Sequence, residues 1–239
     1  MTGWWVIVPV KDARHGKSRL AGVLDDDARA ALVRSMALDT LAAVRAARSV
    51  AGVVLVTPDG ELAAAAARLG AVVVDEPAPA ARAGVEPGLD AAVLAGAGYT
   101  RSLAPDAPVA VVPGDLPRLD PIDLDAALAL AAQHERAHVP DAEGTGTTLL
   151  TAAPGRELRP RFGAGSSGRH GEEGHVRLDV PEKSTLRHDV DVEPDVMTHH
   201  GRQFPTSTCG PGPNTRDMRQ DRGYSDVHSP ASPTGGSRR

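Results

Sequence analysis

Cysteine, aromatic side chains and lysine are all scarce in this chain. A single cysteine, Cys209, stands among 239 residues, which excludes a disulfide framework and a cysteine-ligated zinc site. Aromatic residues make up only 3%, so the core must be built from Ala, Val and Leu. That composition suits parallel strands flanked by small-faced helices. Basic excess is missing too: the formal charge is −5, which gives no electrostatic footprint for nucleic acid. No apolar stretch approaches the roughly 20 residues that a membrane helix needs. The run at residues 4–10 (WWVIVPV) is too short and wrongly flanked for a secretory signal. No membrane partner is expected, and the expected location is the cytoplasm. Only three lysines occur, Lys11, Lys17 and Lys183. Two of them fall in one short loop, where a compact point charge suits a phosphate.

What is present is enough for one mid-sized α/β domain, with 41% apolar residues in 239. Residues 4–10 read as a buried first strand, followed by a polar loop at 11–17 (KDARHGK). Asp25, Asp26 and Asp27 open a helix that runs to about Arg48, with Leu32, Met36, Leu38, Leu41 and Val44 on its apolar face. Strands are expected at 53–57, 71–75 and 109–112, with helices at 61–69 and 89–97. Asp120-Pro121 is an N-cap with proline at the first helical position, and that helix is expected to reach Gln133. Short strands at 137–140 and 147–152 flank the turn Gly144-Thr145-Gly146. Residues 161–170 (RFGAGSSGRH) read as a glycine- and serine-rich loop. Strands alternating with helices imply βαβ units and a mostly parallel sheet. The chain divides into a domain over 1–196 and a disordered low-complexity tail over 197–239, rich in Pro, Gly, Ser and Arg.

Ligands of such sheets bind beyond the carboxyl ends of the strands. Two loops leave such ends, at 11–17 and at Gly114-Asp115, and they can face one crevice. Asp115 follows an apolar strand in a Gly-Asp-Leu-Pro turn, where a hard cation could be held against phosphate oxygens. Asp189 and Asp191 alternate across Asp-Val-Asp, so in an extended segment both point to one face. Lys11, Arg14, Lys17 and Arg19 make a basic loop able to cradle a polyphosphate. Residues 144–147 and 162–167 offer backbone donors and hydroxyls to a compact acid. Asp39, Asp59, Asp123 and Asp125 read as helix-face, turn or capping residues. The histidines, including His138, His170 and His175, show no metal-ligand spacing, and no G-x-S-x-G elbow is present.

Five stretches, residues 7–20 (IVPVKDARHGKSRL), 111–119 (VVPGDLPRL), 141–150 (DAEGTGTTLL), 161–170 and 186–191 (LRHDVD), together resemble the phosphoenolpyruvate (or 2-phospho-L-lactate) guanylyltransferases of coenzyme F-420 biosynthesis. The resemblance covers residues 4–195. It implies a single three-layer α/β/α domain with a nucleotide-diphosphosugar-transferase-like (GT-A-like) fold. It implies that GMP is joined from GTP to phosphoenolpyruvate with release of pyrophosphate, and that the cofactor is Mg2+. By position, Thr147, Gly163 and Ser166 look like phosphoenolpyruvate-binding residues. Asp115, Asp189 and Asp191 look like magnesium ligands, and Lys17, Arg19 and Asp115 the catalytic, phosphate-handling set. A homodimer stays open. Asp90 stands where the family often has asparagine, and the segment after Asp191 departs from the family's threonine and apolar helix. Two other readings are a nucleotide-sugar glycosyltransferase of similar fold and a non-catalytic nucleotide-binding relative. Against the first, Asp-Val-Asp comes late and Gly114-Asp115 fills the central position. Against the second, Asp115, Lys17 and Asp189 are all present.

Overall fold

The computed structural model describes residues 3–15, 25–76 and 88–190, all within one compact unit. The tail expected at 197–239, and the site candidates Lys17, Arg19 and Asp191, lie outside the described residues. The order of elements is β1 (Trp4–Pro9), α1 (Asp26–Ala46), β2 (Val50–Val56), α2 (Gly60–Arg68), β3 (Val72–Val74), α3 (Leu89–Leu103), β4 (Val109–Val111), α4 (Pro121–Ala131), β5 (Arg136–Pro140), β6 (Thr147–Ala152), α5 (Ser166–Glu172) and β7 (Val176–Arg177). Short 3-10 turns occupy Ala13–His15 and Thr185–Arg187.

The strands form one sheet of order β3-β2-β1-β4-β6-β5-β7. Pairings among β3, β2, β1 and β4 are parallel, β6 runs antiparallel to both β4 and β5, and β7 is parallel to β5. The α/β architecture and the mostly parallel sheet are therefore as the sequence indicates, with β6 as the reversed strand. Alternation along β1 divides the core between the two faces. Val6 and Val8 pack with Met36 and Leu41 of α1, Leu62 of α2 and Leu124 and Leu128 of α4. Ile7 packs on the other side with Val54, Val56, and Val93 and Ala97 of α3. Helices thus cover both faces of the sheet.

The helix starts follow their caps. Asp25 accepts from the Ala28 N–H at 2.7 Å, Asp59 from Glu61 and Leu62 at 3.1 and 3.0 Å, and Asp120 from Ile122 at 2.8 Å beside Pro121. Each satisfies donors that a helix N-terminus otherwise leaves unpaired. β7 (Val176–Arg177) was not expected as a strand, and two helical elements also differ from expectation. The helix expected over 89–97 runs on to Leu103, and the loop expected at 161–170 gives way to α5 from Ser166 onward. Gly96 and Gly98 lower the helical propensity of α3, but Gly96 is needed by packing. A Cβ there would lie 2.6 Å from Ile7 Cγ2 and 3.0 Å from Val56 Cγ2. The helix approaches the sheet closely because that atom is missing. Among the described residues no helix is long and apolar enough to cross a membrane.

Gly96→Val should push α3 off β1 and β2 and destabilise the fold by about 1–3 kcal/mol. Urea denaturation should show a lower midpoint with an unchanged m-value; an unchanged midpoint would show that the close approach is dispensable.

Candidate active site

One end of the sheet gathers the described candidate residues. β1 and β4 are parallel neighbours, with Ile7 opposite Val111, so the segments leaving their carboxyl ends start side by side. The Val112 N–H still donates to the Ile7 carbonyl at 3.0 Å. Gly114 then lies against Val10, where an added Cβ would fall 2.5 Å from Val10 Cγ2. The first loop and the Asp115 turn therefore do share one edge, as expected. Because β6 is antiparallel to β4, with Leu150 opposite Val111, the first residue of β6, Thr147, also falls at this end.

The Asp115 turn is held from two sides. Thr40 in α1 donates to Met36 O at 2.9 Å and accepts from the Leu116 N–H at 3.1 Å. On the other side, the Val190 N–H donates to Asp115 O at 3.1 Å. That bond sets Asp189 and Asp115, distant in sequence, on adjoining backbone. Val190 is buried at 4% exposure, while Asp189 and Asp115 are half-buried. Two carboxylates are the hard oxygen donors that magnesium takes, leaving other positions to water and phosphate oxygens. Among the described residues no group of three His, Cys, Asp or Glu is placed to hold a metal ion, and the third expected carboxylate, Asp191, lies outside them.

The hydroxyl-bearing loops converge as well. Asp141 closes the turn before β6, accepting from Thr145 N at 2.9 Å and Gly146 N at 2.7 Å. A Cβ at Gly146 would sit 2.2 Å from Asp141 Oδ2 and push that carboxylate off the turn it holds. Thr145 O accepts from Ser167 N at 3.0 Å, which docks the start of α5 on this turn. Ser166 Oγ then donates to Thr147 Oγ1 at 3.1 Å. Gly163, with φ of 104°, accepts from Ser166 N at 3.0 Å; few other residues adopt that backbone. Arg169 reaches back to the carbonyls of Arg161, Phe162 and Ala164. Asp90, in the first turn of α3, accepts from Phe162 N at 3.0 Å. Thr147, Gly163 and Ser166 are thus brought together.

Three histidines stand behind this loop and were not legible as a group in the sequence. His170 Nδ1 lies 2.9 Å from Thr147 Oγ1, and its Nε2 accepts from the Arg161 N–H at 2.9 Å. His138 Nε2 lies 3.1 Å from Ser167 Oγ, and His175 Nδ1 lies 3.4 Å from Ala137 O. His170 packs edge-on against Phe162 and His175, with centroids 5.0 and 5.6 Å away. Burial, then repulsion from His175, His138, Arg169 and Arg161, pulls His170 down to about 3. Burial also leads in lowering His175 to about 4, against the Ala137 hydrogen bond, which raises it. Burial lowers His138 too, so all three rings favour the neutral form. The available signal was the i, i+4 spacing of Ser166 and His170 on one helix face, but the glycines hid that helix.

The remaining carboxylates have structural partners. Burial works to raise Asp59, but the Leu62 N–H, the Arg34 guanidinium and the Ala13 N–H hold it below the usual range. Asp123 accepts from Thr185 N and Oγ1, both at 2.6 Å. Asp125 accepts from Arg48 N at 3.0 Å, Ser49 N at 2.9 Å and Ser49 Oγ. The last two carboxylates tie α4 to distant segments, a role beyond the helix-face or capping one expected.

The family model described as "Guanylyl transferase CofC like" matches residues 4–196. A phosphoenolpyruvate guanylyltransferase of Streptomyces coelicolor is 44% identical over 196 residues, covering 82% of this chain and 89% of that one. One from Streptomyces scabiei is 43% identical over 212 residues, with 89% and 94% covered. A solved nucleotidyl transferase from Methanothermobacter shares the fold at TM-score 0.51 and 18% identity, covering 83% of this chain and 95% of its own. A Desulfovibrio desulfuricans structure assigned as a nucleotide-diphospho-sugar transferase aligns at TM-score 0.61 and 17% identity, covering 87% and 90%.

The buried rings link stability to pH. Unfolding returns His170 and His175 to the ordinary value near 6.5, so below that pH the unfolded chain binds more protons. Stability should be full above about 6.5 and fall as pH drops toward the folded values of about 4 and about 3. Each ring contributes a slope of up to about 1.4 kcal/mol per pH unit. Urea midpoints between pH 7 and 5 should fall accordingly, and His175→Phe should flatten the slope. A pH-independent midpoint over that range would contradict neutral burial.

Proposed function

The chain belongs to the CofC-like guanylyl transferase family and is a nucleotidyltransferase, and we propose that it joins GMP from GTP to phosphoenolpyruvate. The products are enolpyruvoyl-2-diphospho-5'-guanosine and pyrophosphate, and the setting is cytoplasmic coenzyme F-420 biosynthesis. The reading is supported by one observation above all: the Val190 N–H to Asp115 O bond joins the two carboxylate segments at the sheet end that also carries the Thr147–Ser166 hydroxyls. The names of the Streptomyces relatives support the acid's identity.

In this reaction a phosphate oxygen of phosphoenolpyruvate attacks the α-phosphorus of GTP. The bond from that phosphorus to the bridging oxygen of the β-phosphate breaks, and pyrophosphate leaves. The nucleophile is already an anion, so no activated serine or cysteine is needed. Catalysis is positioning and charge neutralisation. Asp115, Asp189 and Asp191 would hold Mg2+, which when bound supplies positive charge against the triphosphate oxygens. Lys17 and Arg19 would neutralise phosphate charge from the first loop. Thr147 and Ser166, with the backbone at Gly163, would grip the acid and orient its phosphate.

Purified protein with GTP and Mg2+ should release pyrophosphate with phosphoenolpyruvate, and more slowly with 2-phospho-L-lactate. A folded protein that releases none with either acid would sink the proposal. Asp115→Asn should lower kcat by about a thousandfold or more, as expected for losing several kcal/mol of charge stabilisation, with its thermal midpoint nearly unchanged. Thr147→Val should raise KM for the acid by roughly tenfold, the scale of one charge-assisted hydrogen bond, and leave KM for GTP in place.

A further inference from the structure

The wiring of hydrogen-bond protons behind the acid loop is fixed by one backbone amide. The Arg161 N–H can only donate, and it points at His170 Nε2 at 2.9 Å. That nitrogen must carry a lone pair. In a neutral ring the proton is then on Nδ1, which faces Thr147 Oγ1 at 2.9 Å. Thr147 Oγ1 is therefore an acceptor toward the ring, and it also accepts from Ser166 Oγ at 3.1 Å. A hydroxyl oxygen has two acceptor sites, and both are taken.

The consequence is a count of protons. Thr147 and Ser166 hold two hydroxyl protons between them, and their mutual bond uses one. His170 supplies the proton on the ring side, so neither hydroxyl has to give one there. One hydroxyl proton is left over and must point out of the triad. Were the ring reversed, with Nδ1 accepting, that proton would be consumed by the imidazole and the pair would show a lone pair to its ligand. The polarity of the pair is thus decided by a ring that is itself 0% exposed, with Phe162 and His175 packed edge-on against it.

We propose that His170 is a positioning residue that makes the Thr147–Ser166 pair a hydrogen-bond donor to an anionic oxygen of the acid substrate. This rests on the acid site proposed above. His170 touches no substrate itself; it acts through Thr147. A pair poised to donate favours a carboxylate or phosphate oxygen and disfavours a ligand that offers only a donor at that point. The arrangement survives at neutral pH because the ring resists protonation: burial disfavours the charged ring first of all, and the Arg169 and Arg161 guanidiniums oppose a second proton as well.

Two variants separate the ring's Nδ1 role from mere filling of space. In His170→Asn the amide nitrogen can occupy the Nδ1 position and donate to Thr147; in His170→Gln it falls where Nε2 was. His170→Gln should raise KM for phosphoenolpyruvate by about 10- to 100-fold with KM for GTP and the thermal midpoint little changed. His170→Asn should restore most of that loss. Nitrogen-15 spectra of the wild-type protein should show His170 neutral with its proton on Nδ1. A proton on Nε2, or equal damage by both variants to acid KM and GTP KM, overturns the proposal. A folded wild type that turns over neither acid defeats the functional reading, and the role toward the acid falls with it. A wild type that turns over while the variants fail to discriminate overturns the positioning role alone.

Discussion

The parallel pairing of β1 with β4 is the constraint from which the rest of the site follows. Once Ile7 lies opposite Val111, the first loop and the Asp115 turn must emerge together, and the missing Cβ of Gly114 lets them touch. The antiparallel β6 then brings its beginning, not its end, to the same edge. A strand added in the parallel sense would have carried Thr147 to the far side of the sheet. Reversal of one strand is what brings a loop preceding β6 to the same sheet end as the loops following β1 and β4.

Around that edge, hydrogen bonds to backbone groups hold the loops in place. Val190 N–H fixes the late acidic segment on Asp115, Thr40 fixes Leu116, and Asp141 and Arg169 hold the two glycine turns. Such bonds cost little when made during folding and much when one partner is lost in a buried place. They set the Asp115 turn, the segment at Asp189 and the Thr147–Ser166 hydroxyls at one end of the sheet.

How much of this was readable depended on whether a signal was local. β1 was plain in residues 4–10, and α4 in Asp120-Pro121, because capping and burial patterns are written in consecutive residues. Asp115 and Asp189 were visible as carboxylates at the right kind of position, but their nearness comes from one long-range backbone bond that no spacing encodes. α5 was hidden because Gly165, Gly168 and Gly171 argue against a helix, and the long-range bond from Ser167 N–H to Thr145 O, with a local turn at Gly163, overrode that propensity. The histidines escaped for the same reason. His138 comes from a strand, His170 from an unexpected helix and His175 from the turn beyond it, and only the folded sheet assembles them.

The helix α4 carries two carboxylates two positions apart with different duties. Asp125 grips Ser49 at the entry to β2, and Asp123 grips Thr185, four residues before Asp189. The helix is thereby a strut between the foundation of the sheet and the segment that delivers the late carboxylate. Drift in sequence at Asp123 would be filtered differently from drift in the core: the fold could tolerate it, while the acidic segment lost its anchorage. Positions of that kind are where a lineage keeps a sound scaffold and quietly loses its chemistry.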